Sequence, residues 1–123
     1  MILAGVVWAQ PRLAVDRDVA NMGEIMFQLP SKVNFTLRNT GTDPLSITEV
    51  IPSCGCTAVD WTHELIAPGA EGTITAIYDA KMLGVFQKDL GVYTNASDEP
   101  VYLHIQGRVV SKLSDYSGSF PID

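Results

Sequence analysis

The stretch Ser31-Lys32-Val33-Asn34-Phe35-Thr36-Leu37-Arg38 decides the fold. Val33, Phe35 and Leu37 occupy every second position, with Lys32, Asn34, Thr36 and Arg38 between them. Successive side chains of an extended chain point to opposite faces, so this octamer reads as a strand with one face in a core and the other in water. The residues that follow, Asn39-Thr40-Gly41-Thr42-Asp43-Pro44, have turn chemistry, and Leu45-Ser46-Ile47-Thr48 resumes the alternation. This pattern predicts a hairpin between the two strands.

The same period recurs along the chain. Residues 73–78 are β-branched and aromatic, and Gly84 opens a strand in which Phe86, Leu90 and Val92 share one parity with Lys88. A lysine among inward positions implies a local sheet edge, or a stem lying on apolar surface with its ammonium in water. After a turn over residues 94–100, Val101, Leu103 and Ile105 alternate with Tyr102, His104 and Gln106. Residues 13–19 and 23–28 add two further strands, whereas residues 52–72 read as a longer irregular stretch. Seven or eight short strands without helical periodicity predict an all-β, immunoglobulin-like antiparallel β-sandwich. No internal repeat is present.

The chain has 123 residues, 46% hydrophobic and 18% charged, with a formal net charge of −6. That composition describes one soluble globular domain whose core needs neither a disulfide framework nor a structural metal. The acidic balance and scattered basic residues argue against unaided binding to nucleic acid or to an anionic membrane surface. Residues 2–9, ILAGVVWA, resemble the apolar run and small-residue cleavage site of a secretory signal peptide, with mature chain from about Gln10. The competing reading is an ordered arm or buried first strand, and the run is far short of the ~20 residues that span a bilayer. The sandwich is assigned to residues 10–110. Residues 111–123 form a linker-like polar tail, in which Tyr116, Phe120 and Pro121 can pack back.

An ordered string of motifs runs through the domain: Gly23-Glu24-Ile25, Phe35-Thr36-Leu37-Arg38-Asn39-Thr40-Gly41, Pro44-Leu45, Ser53-Cys54-Gly55-Cys56-Thr57, Ile66-Ala67-Pro68-Gly69, Gly84-Val85-Phe86-Gln87-Lys88, Thr94-Asn95 and Ile105-Gln106-Gly107. Over residues 11–110 it resembles a widespread bacterial family of unknown function found in secreted and envelope proteins. That family is similar in turn to immunoglobulin-like domains of the Hydin and major sperm protein type. The resemblance implies the fold, an extracytoplasmic location (periplasmic or secreted) and an interaction role. It carries no catalytic activity and no cofactor. Residues 120–123 resemble the start of a segment that joins two such domains in longer relatives, which implies a fragment or a single-domain form. Asn39 and Gly41 suit the positive-φ positions of a tight turn, and Asn39 can bond the backbone two residues on. Gly69 does the same after Pro68, and Gly84 permits a close approach or a bulge.

Cys54-Gly55-Cys56 is the element with reactive potential. In extended chain its Cα atoms lie roughly 6–7 Å apart with both side chains on one side. Three readings stay open: free thiols acting as small hydrophobes, a disulfide formed locally or to another chain, and a two-thiolate clamp for Cu or Zn with His63 as third ligand. No Cys-x-x-Cys, second cysteine pair or His-x-x-x-His accompanies it. Motifs for a nucleophile elbow, a phosphate loop or a zinc protease are also missing, so a non-enzyme is expected. Cys54, Gly55, Cys56, Thr57, Trp61, Pro68 and Gly69 form the candidate interaction or thiol loop, with Trp61 read as a cap on the core and His104 as a solvated surface residue. The partner class is an unknown protein or an envelope polymer, met at an exposed sheet edge or at these loops. A thiol-based metal or redox module is the alternative function.

Overall fold

The computed structural model describes residues 10–111. The apolar run at residues 1–9 and the tail residues Tyr116, Phe120 and Pro121 lie outside the described residues. Eight strands follow one another: β1 (Leu13–Val15), β2 (Val19–Met26), β3 (Ser31–Asn39), β4 (Ile47–Pro52), β5 (Thr57–Trp61), β6 (Glu71–Tyr78), β7 (Gly84–Thr94) and β8 (Val101–Val110). They build two four-stranded sheets, ordered β1-β3-β6-β5 and β2-β8-β7-β4, and no helix occurs among the described residues.

The alternation that marked β3 puts Phe35 and Leu37 at zero exposure, facing Ile74, Ala76 and Tyr78 on neighbouring β6. The second sheet contributes Phe86, Leu90, Val92, Leu103, Ile105 and Val109 from β7 and β8. The two inner faces make one core, and each fully buried Leu or Phe contributes about 1.5–3 kcal/mol. Tyr78 and Phe86 stack across the sandwich with ring centroids 4.2 Å apart.

Four sequence expectations are corrected. β3 and β4 do not form a hairpin: both edges of β3 are taken, by β1 and β6, so the chain crosses to the other sheet and β4 pairs with β7. Residues 13–19 are not one strand, because the exposed charged run Asp16-Arg17-Asp18 carries the chain from β1 in one sheet to β2 in the other. β2 enters beside β8 in the same direction, which makes this the one parallel pair among the paired strands. The stretch 52–72 is not wholly irregular, since β5 lies within it. Asn39 and Gly41 do not adopt positive φ; among the described residues that conformation belongs to Gly23, Gly69 and Gly84 and to the non-glycines Gln28 and Ala80. Gly41 is required for a different reason: a Cβ there would overlap the backbone of residues 10–12 as they approach β1.

Candidate functional site

β7 runs eleven residues and pairs along most of its length with β8. On its other side, β4 covers only Leu90 to Thr94, and the last rung is made by Ser53, whose N–H donates to the Asp89 carbonyl at 2.8 Å. In an antiparallel ladder a residue directs its N–H and C=O to the same side, and successive residues alternate sides. Asp89 faces β4, so Gln87 and Val85 face that side too, where no strand lies opposite them. Phe86 and Lys88 face β8. Two residues of β7 therefore present backbone donors and acceptors at an open half-edge, and no described residue pairs with them. Lys88, half-buried with inward parity, sits in this stretch of β7.

The Cys54–Cys56 loop crosses between the sheets at this corner. The chain leaves β4 after Pro52, with Ser53 still bonded to Asp89 of β7, and enters β5 at Thr57 beside Tyr78 of β6; just before that, the Cys56 carbonyl accepts from the Asp79 N–H at 3.0 Å. Cys54 and Cys56 are joined in a disulfide, with Cα atoms 5.3 Å apart. The Cys56 N–H donates to Cys54 Sγ at 3.3 Å, and the Cys56 sulfur lies 3.8 Å from the Thr57 hydroxyl. Both cysteines are half-buried, Gly55 is exposed and Thr57 is buried as the first residue of β5.

The remaining residues of the candidate loop are spread along β5 and beyond it. Thr57 pairs with Tyr78 at one end of β6, whereas Trp61 pairs with Ile74, and Pro68 and Gly69 precede the other end of β6. Gly69 has φ +83° and donates its N–H to the Asn39 carbonyl at 2.8 Å, so it closes the opposite end of the sandwich. Trp61 packs against the core rim and its ring lies 4.8 Å from that of His63. His63 Nε2 is 3.2 Å from Asp60 Oδ1. Among the described residues no three His, Cys, Asp or Glu side chains are grouped to hold a metal, and a sulfur pair bonded to itself offers no thiolate ligands.

Beside the open half-edge, the outer face of the β2-β8-β7-β4 sheet carries a hollow of about 260 Å³ over Gly91. Ile51, Ser53, Tyr93 and Tyr102 border it, and a Cβ on Gly91 would touch both tyrosine rings at about 3.5 Å. Asp89 at its rim bonds His104, Oδ1 to Nδ1, at 2.7 Å, so His104 is a partnered face residue and not merely solvated. Sequence parity sets Tyr102 and His104 outward but gives no role to Gly91 or to Val85, which is 84% exposed.

Compared with known protein families, residues 13–109 match the one described as "Protein of unknown function (DUF1573)". The chain belongs to the DUF1573 family. No curated protein matches it. A crystal structure of a protein of unknown function from Porphyromonas gingivalis W83 is similar to this DUF1573 chain with TM-score 0.72 at 16% identity, over 86% of this chain and 50% of that one. The ASH/PapD-like domain 7 of human CEP192 gives TM-score 0.64 at 11% identity, over 92% and 99%. The secreted serine protease VesC of Vibrio cholerae gives 0.56 at 12% identity, over 93% and 27%. At such identities the likeness is one of fold, a PapD-like, immunoglobulin-like sandwich, and no enzymatic activity comes with it. The DUF1573 chain spans half the length of the Porphyromonas protein and about a quarter of the protease. No helix among the described residues is long and apolar enough to cross a membrane.

Proposed function

We propose that the chain is a non-enzymatic interaction module of the bacterial envelope, periplasmic or secreted, that takes an extended polypeptide segment along the open half of β7. The observation that carries this reading is the early end of β4, which leaves the Val85 and Gln87 backbone groups without a partner among the described residues, in a strand whose later half is paired on both sides. An extended chain that adds to such an edge gains main-chain hydrogen bonds, and alternate side chains supply specificity. Exposed Val85 favours an apolar side chain on the outer face of the incoming segment. Both edges of the other sheet are less suited. β1 has three residues, and on β5 the Asp60 carboxylate accepts from the edge-facing Trp61 N–H at 2.9 Å, occupying a donor that a new strand would need. The extracytoplasmic placement, and the finer kinship with Hydin and major sperm protein domains, rest on the motif string and the apolar run at residues 2–9.

Site-specific photo-cross-linking tests the proposal. A photoreactive residue at Gln87 is expected to cross-link one contiguous stretch of a partner chain, while the same probe at Ala14 on β1 does not. Gln87→Pro, which deletes an edge-facing N–H without removing a bond to β8, is expected to abolish capture of that partner in an otherwise folded protein. Equal cross-linking from both positions, or unchanged capture by the proline variant, contradicts the reading.

A further inference from the structure

We infer that Cys54–Cys56 is an exchange-active disulfide: an incoming cysteine thiolate attacks Cys56 Sγ and Cys54 Sγ leaves as a hydrogen-bonded thiolate. The bond closes a loop over a single residue, so it removes little chain entropy, and neither cysteine belongs to the buried core cluster, which Cys56 only borders. The bond lies at the protein surface. Both cysteines are half-buried, Cys56 with one side against the core, while Gly55 between them is exposed and a Cβ built on it would meet no atom of the described residues within 4 Å. Access of this kind is what a thiolate needs to reach a disulfide sulfur.

The two sulfurs are not equivalent. A backbone N–H, fixed by the loop, points at Cys54 Sγ from 3.3 Å, whereas Cys56 Sγ has only the Thr57 hydroxyl at 3.8 Å, a group free to rotate. A donor aimed at one sulfur stabilises negative charge there, and the sulfur that better carries charge is the better leaving group. In the first step the bond from the attacking sulfur to Cys56 Sγ forms as the Cys56–Cys54 bond breaks, and the electron pair goes to Cys54. A second thiolate from the same source then attacks its own sulfur in the mixed disulfide and releases Cys56 as thiolate. Together the steps oxidise two thiols to a disulfide and reduce Cys54–Cys56 to a dithiol, one turn per chain. The step does not rest on the β7 edge, since a small thiol serves as reactant.

The test incubates the oxidised chain with millimolar reduced glutathione, quenches with acid and maps adducts by peptide mass spectrometry. The expected result is a transient glutathione adduct on Cys56, followed by the dithiol, while circular dichroism stays that of the folded protein. A second measurement compares single-cysteine variants at pH 7: Cys54 in Cys56→Ala should be alkylated by iodoacetamide about five- to tenfold faster than Cys56 in Cys54→Ala. A disulfide that stays intact in the folded chain, an adduct found on Cys54, or equal alkylation rates overturns the inference.

Discussion

Ser53 meets Asp89 with both of its hydrogen-bonding groups: its N–H donates to the Asp89 carbonyl at 2.8 Å, and its hydroxyl oxygen accepts from the Asp89 N–H at 3.0 Å. The side chain thus does what a strand carbonyl would do in the next rung, and the main chain is released to turn toward the opposite sheet. Pro52, just before it, lies at a position whose nitrogen faces away from β7, where a missing N–H costs no ladder bond. The end of β4, and with it the open half of β7, is therefore built into the Pro52-Ser53 pair.

Replacing Ser53 by alanine should leave the Asp89 N–H without its acceptor. The site is partly solvated, so the expected loss is about 1 kcal/mol in urea denaturation, with faster hydrogen exchange at the Asp89 amide. No stability change, with Asp89 exchange unaltered, would show that the hydroxyl does not close the rung.

Asn39 explains why an Asn-Thr-Gly element belongs at this turn. Its side chain is fully buried; Nδ2 donates to the carbonyls of Asp43 at 2.7 Å and Ile66 at 2.9 Å, and Oδ1 accepts from the N–H of Gly41 at 2.9 Å. One amide ties β3 to the turn that follows it and to the β5–β6 connection. Asn39→Ala leaves these buried groups unpaired and should cost about 2–4 kcal/mol. Asn39→Asp should also be destabilising, because a carboxylate cannot donate to the two carbonyls. Denaturant midpoints for the two variants check both statements.

Tyr78 makes stability fall in alkali. Burial raises its phenol above the ordinary value of 10.0, and the nearby charge of Asp79 adds to the rise. In the unfolded chain the phenol ionises first, so this contribution is fully present below about pH 9, declines as pH passes 10 and is lost through the raised folded value. Tyr78→Phe removes it. The stability difference between wild type and variant, followed from pH 8 to 11, should shift steadily in favour of the variant; a constant difference would contradict the assignment.

Residue parity made the core legible. Val33, Phe35 and Leu37 on β3, and Leu103 and Ile105 on β8, could be set on one face from the alternation alone, and Val85, Gln87 and Tyr102 on the other. Parity says nothing about which strand lies alongside, because it records faces and not neighbours. The expected β3–β4 hairpin failed for that reason: β3 was already flanked by strands distant in sequence. The open stretch at Val85 and Gln87 was hidden in the same way, since it exists only because β4 is shorter than the strand it pairs with. The Cys-Gly-Cys element stood out by composition. Its pairing did not, and nor did its distance along β6 from Pro68 and Gly69, with which sequence had grouped it.

Residue-resolved amide hydrogen exchange along β7 of the free protein tests the open edge most directly. Phe86 and Lys88, bonded to β8, should be protected, while Val85 and Gln87, which alternate with them, exchange at least about a hundredfold faster, because their N–H groups meet only solvent. Uniform protection from Val85 to Lys88 would mean that this edge is already occupied, and the account of it as a docking site would be wrong.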